Sequence, residues 1–232
     1  AIALDTALNG ASSIAIGAQG LFGRDGIEIA LSTLQGSEKI LCLGKDHDGT
    51  ERFTTKEIFD LEQSMYQKAL CRSNERGFEV FATSVERAIL NRPTISDEQK
   101  DAVRAITKER GAVKALTGYA GTGKSYALGC AREVWENEGF VALGLAPTGK
   151  AAESLYNGSQ IPSRTVHSYL NGIENGHETL SPRHILVLDE AGMMGSRKMS
   201  ALLDKVHEAK AKIILVGDDR QLQPIEAGGA YR

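Results

Sequence analysis

Residues 118–125 read GYAGTGKS and match the pattern G-x-x-x-x-G-K-[ST] at every fixed position. The apolar segment 112–118 precedes the motif, and a helical pattern runs from Gly123 to about Trp135. In such a strand–loop–helix unit, backbone N–H groups and the positive end of the helix surround a phosphate group. The motif therefore predicts a nucleotide-binding α/β fold.

Three further apolar segments follow, at 140–146, 184–189 and 212–217. They are almost continuously apolar, as strands buried on both faces of a sheet are. Helical patterns separate them, near Gly149–Tyr156 and over Ser196–Ala209. This alternation predicts a parallel sheet flanked by helices on both faces.

Composition limits the other classes of function. The net charge of −3 gives no support for a broad basic surface that binds nucleic acid, although a basic groove remains compatible with it. No apolar run reaches the ~20 residues of a membrane span, and no signal peptide opens the chain. Three widely spaced cysteines are typical of reduced thiols. We therefore predict a cytoplasmic protein without membrane insertion.

Three regions are predicted along the chain. Residues 1–53 form a small N-terminal domain, in which a helix at Phe22–Leu34 and a strand–turn–strand at 39–55 suggest a winged helix. Residues 54–94 form a helical connection, which a capping box at Thr54–Glu57 opens. Residues 95–232 form the nucleotide-binding domain, whose first helix begins after Ser96.

The predicted nucleotide contacts of the loop are Gly118, Gly121, Thr122, Gly123, Lys124 and Ser125. The glycines allow backbone N–H groups to turn toward the phosphates of ATP. Lys124 is expected to reach the β- and γ-phosphates, and Ser125 to bind Mg²⁺. A glycine-rich turn that binds nothing is the alternative, which the flanking strand and helix disfavour.

Acidic and amide side chains follow the later strands, and we expect Asp189 to lie beside the phosphate loop and Lys124 at the carboxyl edge of the sheet, as ligand sites do in open α/β folds. Asp189 is suited to hold Mg²⁺, and Glu190 to activate the attacking water, although two acids can merely end a strand. Gln221 can sense the γ-phosphate or lie in a solvated turn. Gln99 can close a capping box on Ser96 or contact an adenine, and the sequence leaves these two roles open.

Two segments have the hydroxyl and cationic groups that contact nucleic acid phosphates. The first is APTGKAAESL at 146–155, with Pro147, Thr148 and Lys150; the second is SRTVHSYL at 163–170, with Thr165 and His167. Thr148 can instead be an ordinary helix N-cap. For His167 alone, a histidine packed in the core is the favoured interpretation.

Six segments, taken together, resemble the RecD-like helicases of superfamily 1B. They are ISDEQ, GYAGTGKS, LAPTGKAAESL, SRTVHSYL, LVLDEAGMM and VGDDRQLQPIEAGGAYR. Within that family, the sequence is most similar to the helicase core of TraA-type conjugative relaxases. The similarity is specific over 95–232, fair over 51–70 and vague over 1–50. The resemblance implies a RecA-like P-loop NTPase domain that uses ATP and Mg²⁺ and moves 5′ to 3′ on single-stranded DNA.

The resemblance also implies roles for individual residues. It makes Gln99 the adenine contact, Asp189 and Glu190 the metal holder and catalytic base, and Gln221 the γ-phosphate sensor. Lys124 and Ser125 become phosphate and Mg²⁺ ligands, and the segments Pro147–Lys150 and Thr165–His167 become DNA contacts.

The sequence lacks the relaxase module and the second RecA-like lobe of that family, which we expect as partners in the same parent chain. We therefore expect a helicase fragment that is not active alone. The alternative function is a recruitment module recognised by a type IV secretion coupling protein. A phosphate-loop kinase or GTPase is disfavoured, because no guanine-specificity motif is present.

Overall fold

The computed structural model describes residues 2–3, 39–45, 49, 51–119 and 121–218. The chain divides into two compact units, Ala1–Ser64 and Met65–Arg232. Helices and strands are numbered below along the described residues. No helix within these ranges is long and apolar enough to cross a bilayer.

The first unit contains an antiparallel sheet in the order β1–β3–β2. Its strands are β1 (Ile2–Ala3), β2 (Ile40–Lys45) and β3 (Glu51–Thr55). The β2–β3 pair confirms the predicted strand–turn–strand. The helix predicted at 22–34 lies outside the described residues. The winged helix, which depends on that helix, therefore stays a prediction.

Helix α1 (Lys56–Arg72) begins directly after β3. The sequence predicted that Thr54 caps this helix, and that prediction was wrong. The hydroxyl that accepts from the N–H of Ile58, at 3.2 Å, belongs to Thr55. Thr54 instead pairs with Leu41 in the sheet. The capping residue is thus one position later than the sequence pattern suggested.

The second unit contains a five-stranded parallel sheet in the order β4–β8–β7–β5–β6. Its strands are β4 (Val113–Thr117), β5 (Val141–Ala146), β6 (Ser163–Thr165), β7 (His184–Leu188) and β8 (Lys212–Gly217). Its helices are α2 (Ala82–Leu90), α3 (Asp97–Lys108), α4 (Lys124–Asn137), α5 (Gly149–Ser159), α6 (Val166–Glu174) and α7 (Ser196–Glu208), with a 3₁₀ turn at Ala191–Met193. The predicted α/β fold with a RecA-like parallel sheet is confirmed.

The central strands are buried on both faces. Ile185 and Val187 of β7 pack into a cluster with residues of α2 to α5, whereas Leu186 and Leu188 pack with residues of α6 and α7. Side chains alternate across a strand, so continuous apolar sequence supplies both layers. Burying apolar surface on two faces holds the strand ends, and the loops that follow them, in fixed positions.

Candidate functional site

The loop between β4 and α4 has the backbone that its glycines allow. Gly121 and Gly123 have φ angles of 80° and 75°, in the left-handed region that costs glycine little. A Cβ added to Gly123 would lie 2.3 Å from Nε2 of Gln99. The left-handed backbone therefore favours glycine at residue 123, and any side chain there would also displace the amide of Gln99.

Lys124 points into the loop that precedes it. Its Nζ donates to the carbonyl oxygens of Gly118, at 2.6 Å, and Tyr119, at 3.0 Å. The hydroxyl of Thr122 also donates to Tyr119 O, at 2.8 Å. The ammonium group is thus held in the mouth of the loop, where a phosphate oxygen can take the place of these carbonyls.

Asp189 and Glu190 follow β7 at the carboxyl edge of the sheet. The N–H of Asp189 donates to Leu145 O, and the N–H of Glu190 donates to Asp189 Oδ1, both at 2.9 Å. Glu190 has a φ of 51°, a left-handed conformation that is rare outside glycine. This turn directs both acids toward the phosphate loop.

A cleft of 350 Å³ brings the predicted residues together, with Gly121, Gly123, Lys124, Ser125, Ser154, Asp189, Glu190, Gly217 and Asp218 on its walls. The sequence predicted that Lys124 and Asp189 lie at the same edge of the sheet, and this is confirmed. Ser154 is an addition that sequence analysis missed. The available signal was its spacing, four residues after Lys150 on the same helix.

The electrostatics of the acid pair follow from its position. Burial raises the pKa of Asp189, although the N–H of Glu190 and the charge of Lys124 oppose the rise. Burial, and then the neighbouring charge of Asp189, raises the pKa of Glu190. Each carboxylate therefore gains from a nearby cation or proton, as a metal holder and a general base should.

The donor set fits Mg²⁺. The Ser125 hydroxyl and the Asp189 carboxylate both offer oxygen, which Mg²⁺ prefers over nitrogen and sulfur. Across the described ranges, no three His, Cys, Asp or Glu side chains are grouped to hold a metal ion. A site with few protein ligands suits Mg²⁺, because this ion completes its shell with water and substrate phosphates.

Gln99 makes the capping box that one interpretation predicted. Its N–H donates to Ser96 Oγ at 3.3 Å, and its Oε1 accepts from the N–H of Ser96 at 3.0 Å. Its Nε2 donates to Thr122 O at 2.9 Å. The same amide therefore joins the start of α3 to the phosphate loop, and contact with an adenine stays a prediction.

The two predicted DNA-contact segments meet at one edge of the sheet. Strands β5 and β6 pair in parallel with Ala146 opposite Thr165, so the residues after them are neighbours. Thr148 caps α5 and Thr165 caps α6 through their side-chain oxygens. The N-cap role of Thr148 is thus confirmed, while its side chain and that of Lys150 remain exposed.

His167 is not a packed core histidine, so the favoured interpretation was wrong. It is exposed on α6, and its Nε2 lies 3.3 Å from Nδ2 of Asn171. The buried residues of this helix are Val166 and Tyr169. Pro147 is half-buried at the end of β5.

Gln221 lies outside the described residues. The strand before it, β8, pairs with β4, which leads into the phosphate loop. Gly217 and Asp218 at the end of β8 line the cleft. The role of Gln221 as a γ-phosphate sensor therefore stays a prediction.

Comparison with known proteins identifies the family to which the nucleotide-binding region of the sequence is related. Residues 94–232 match the AAA domain family. The conjugal transfer protein TraA of Rhizobium radiobacter is 39% identical over 181 residues, which cover 78% of this chain and 16% of that protein. The probable conjugal transfer protein TraA of Sinorhizobium fredii is 41% identical over 182 residues, with the same coverage.

A second group of relatives consists of RecD-type proteins. The ATP-dependent RecD2 DNA helicase of Deinococcus radiodurans is 36% identical over 141 residues, which cover 59% of this chain and 19% of that helicase. The chain thus aligns with less than a fifth of the length of each of these relatives. The matches confirm the resemblance to the RecD-like core of TraA-type proteins.

Proposed function

We propose that this chain, which belongs to the AAA domain family, is the ATP-binding lobe of a DNA helicase that acts in conjugal transfer. The observation that carries the proposal is the single cleft lined by Lys124, Ser125, Asp189 and Glu190. The proposed role in conjugal transfer and in DNA unwinding is supported by relatives that are named as conjugal transfer proteins and as an ATP-dependent DNA helicase. Movement 5′ to 3′ and a cytoplasmic location belong to the same proposal.

Each residue of the cleft has a role in phosphoryl transfer. Lys124 exchanges its carbonyl partners for β- and γ-phosphate oxygens, because a phosphate carries a full negative charge where a carbonyl carries a dipole. Ser125 and Asp189 hold Mg²⁺, which when bound neutralises charge on the phosphates. Glu190, whose pKa burial raises, accepts a proton from the attacking water.

Single-stranded DNA is the proposed second ligand, at the carboxyl ends of β5 and β6. Thr148, Lys150, Thr165 and His167 lie there beside Pro147, and they offer the hydroxyl and cationic groups that bind phosphodiesters. Both ligand sites thus lie along one edge of one sheet. With a net charge of −3, the chain depends on these local groups and not on an overall positive field.

The test of the nucleotide site is the affinity of Mg-ADP for wild type and for Lys124→Ala, measured by calorimetry. We expect the variant to lose at least about tenfold in affinity, since a charge-assisted hydrogen bond contributes about 1.5–3 kcal/mol. The matched control is Lys210→Ala, which removes an exposed lysine that precedes β8 at the opposite end of the strands. Equal affinity in wild type and Lys124→Ala would contradict the proposed site.

A further inference from the structure

Two glycines lie where helices α4 and α5 cross. A Cβ added to Gly129 of α4 would lie 3.1 Å from the backbone oxygen of Ser159 in α5. A Cβ added to Gly158 of α5 would lie 2.6 Å from Cβ of Ser125 and 3.2 Å from its Oγ. The first distance shows that the two backbones approach closely, and the second shows that α5 lies directly against the proposed Mg²⁺ ligand.

The same side of α5 forms a wall of the nucleotide cleft. Lys150, Ser154 and Gly158 are spaced four residues apart and so lie along one side of the helix. Ser154 lines the cleft together with Asp189 and Ser125. Helix α5 therefore runs from the proposed DNA contact at its N-terminus, past the acid pair, to the metal ligand.

We propose that Gly158 is a positioning residue that fixes the Ser125 hydroxyl for Mg²⁺, an inference that rests on the proposed nucleotide function. Ser125 belongs to the first turn of α4, where its side chain can select among rotamers. The surface of α5 at Gly158 closes the space beside that side chain. A methyl group at residue 158 would overlap Cβ of Ser125, and rotation of the Ser125 side chain does not move its Cβ, so the backbone of α5 or of the first turn of α4 has to shift. We expect this shift to carry the Ser125 hydroxyl away from its place beside Asp189 in the cleft.

The test separates metal-dependent from metal-independent binding of nucleotide. ADP affinity is measured for wild type and Gly158→Ala, once with Mg²⁺ and once with EDTA. We expect Gly158→Ala to reduce the enhancement by Mg²⁺ about tenfold or more, as loss of a ligand-orienting partner does. Affinity in EDTA should remain that of wild type, because Lys124 and the loop glycines are untouched.

The matched control is Asn157→Ala, an exposed position one residue away on the same helix. It adds the same alanine to α5 without facing Ser125, and it should keep the full Mg²⁺ enhancement. A loss of similar size in Asn157→Ala would overturn the inference, because the effect would then belong to the helix as a whole.

A double-mutant cycle with Ser125→Ala shows whether Gly158 acts through the hydroxyl. If it does, Gly158→Ala adds no further loss to Ser125→Ala. Three results would overturn the inference: additive losses, an equal loss of affinity in EDTA, or an unfolded Gly158→Ala protein. Each would mean that Gly158 supports the packing of the helices and does not position the Ser125 hydroxyl. Undiminished Mg²⁺ enhancement in Gly158→Ala would overturn it and leave the nucleotide site intact. Absence of nucleotide binding in wild type would overturn the proposed function as well.

Discussion

The backbone of Glu190 is left-handed, with a φ of 51°, immediately after the half-buried carboxyl group of Asp189. Both features cost stability: the first strains the backbone, and the second holds a charge in a poorly solvated place. Residues that carry such costs are commonly found at functional sites. At the scale of single residues, the acid pair is therefore where activity and stability are expected to conflict.

Asp189→Asn should stabilise the protein in the absence of Mg²⁺ and nucleotide. Asparagine keeps the oxygen that accepts from the N–H of Glu190 and removes the half-buried charge. We expect a gain of about 0.5–2 kcal/mol at neutral pH, the range typical of single stabilising substitutions. Thermal melts provide the measurement, with the exposed Glu153→Gln of α5 as the control.

The gain should depend on pH in a defined direction. Burial raises the pKa of Asp189 in the folded protein, so the folded state binds a proton more tightly than the unfolded state. The stability that the Asp189 carboxyl group contributes to wild type is fully present below its ordinary pKa of about 4. It is lost as the pH rises through the pKa that the group has in the folded protein. The difference between Asp189→Asn and wild type should therefore be small at low pH and grow toward neutrality. A difference that shrinks with rising pH would contradict the assignment.

At the scale of elements, α7 ends in a Schellman motif without the usual glycine. The N–H of Lys210 donates to His207 O at 3.1 Å, and that of Ala211 donates to Val206 O at 3.0 Å. Lys210 has a φ of 51°. This left-handed position is exposed and is the one that glycine fills in most such motifs.

Lys210→Gly should therefore raise the melting temperature. A left-handed residue other than glycine costs about 1 kcal/mol, which corresponds to about 2–4 °C for a chain of this length. Lys210→Ala removes the same charge and side chain but keeps the strain, so it should show no such gain. Equal melting temperatures for the two variants would mean that the backbone at residue 210 carries no strain.

At the scale of the whole molecule, the sheet places the proposed nucleotide cleft and the proposed DNA-contact segments along its carboxyl edge. Lys124 is the only cation among the described residues that line the cleft. The transition state of phosphoryl transfer spreads negative charge over the γ-phosphate, and an arginine that reaches it accelerates the reaction about 10³–10⁵-fold. We therefore expect this chain to bind nucleotide without hydrolysing it rapidly.

Residues 1–232 should bind Mg-ATP but hydrolyse it slowly, with little stimulation by single-stranded DNA. The measurement is steady-state phosphate release with and without an oligonucleotide, and Glu190→Gln provides the background. Fast DNA-dependent turnover that Glu190→Gln abolishes would contradict the expectation. It would mean that a second cation reaches the γ-phosphate, from residues outside the described ranges or from another copy.

The sequence alone determined the features that depend on short-range pattern. The predicted features are the phosphate loop, the strands β4, β5, β7 and β8, and the capping box at Ser96. Each is specified by residues that are close together in the sequence. The common edge of Lys124 and Asp189 also followed, since carboxyl ends of parallel strands lie together. These predictions needed only local periodicity and the rules of parallel sheets.

The tertiary structure alone decided which surfaces meet. The exposure of His167 depends on which side of α6 packs on the sheet, and a three-residue strand such as β6 has too short a pattern to be recognised. The place of Ser154 in the cleft and the contact of Gly158 with Ser125 depend on how closely α4 and α5 cross. That crossing joins residues more than thirty positions apart. No local pattern encodes it, because it is set by the packing of both helices on the same sheet.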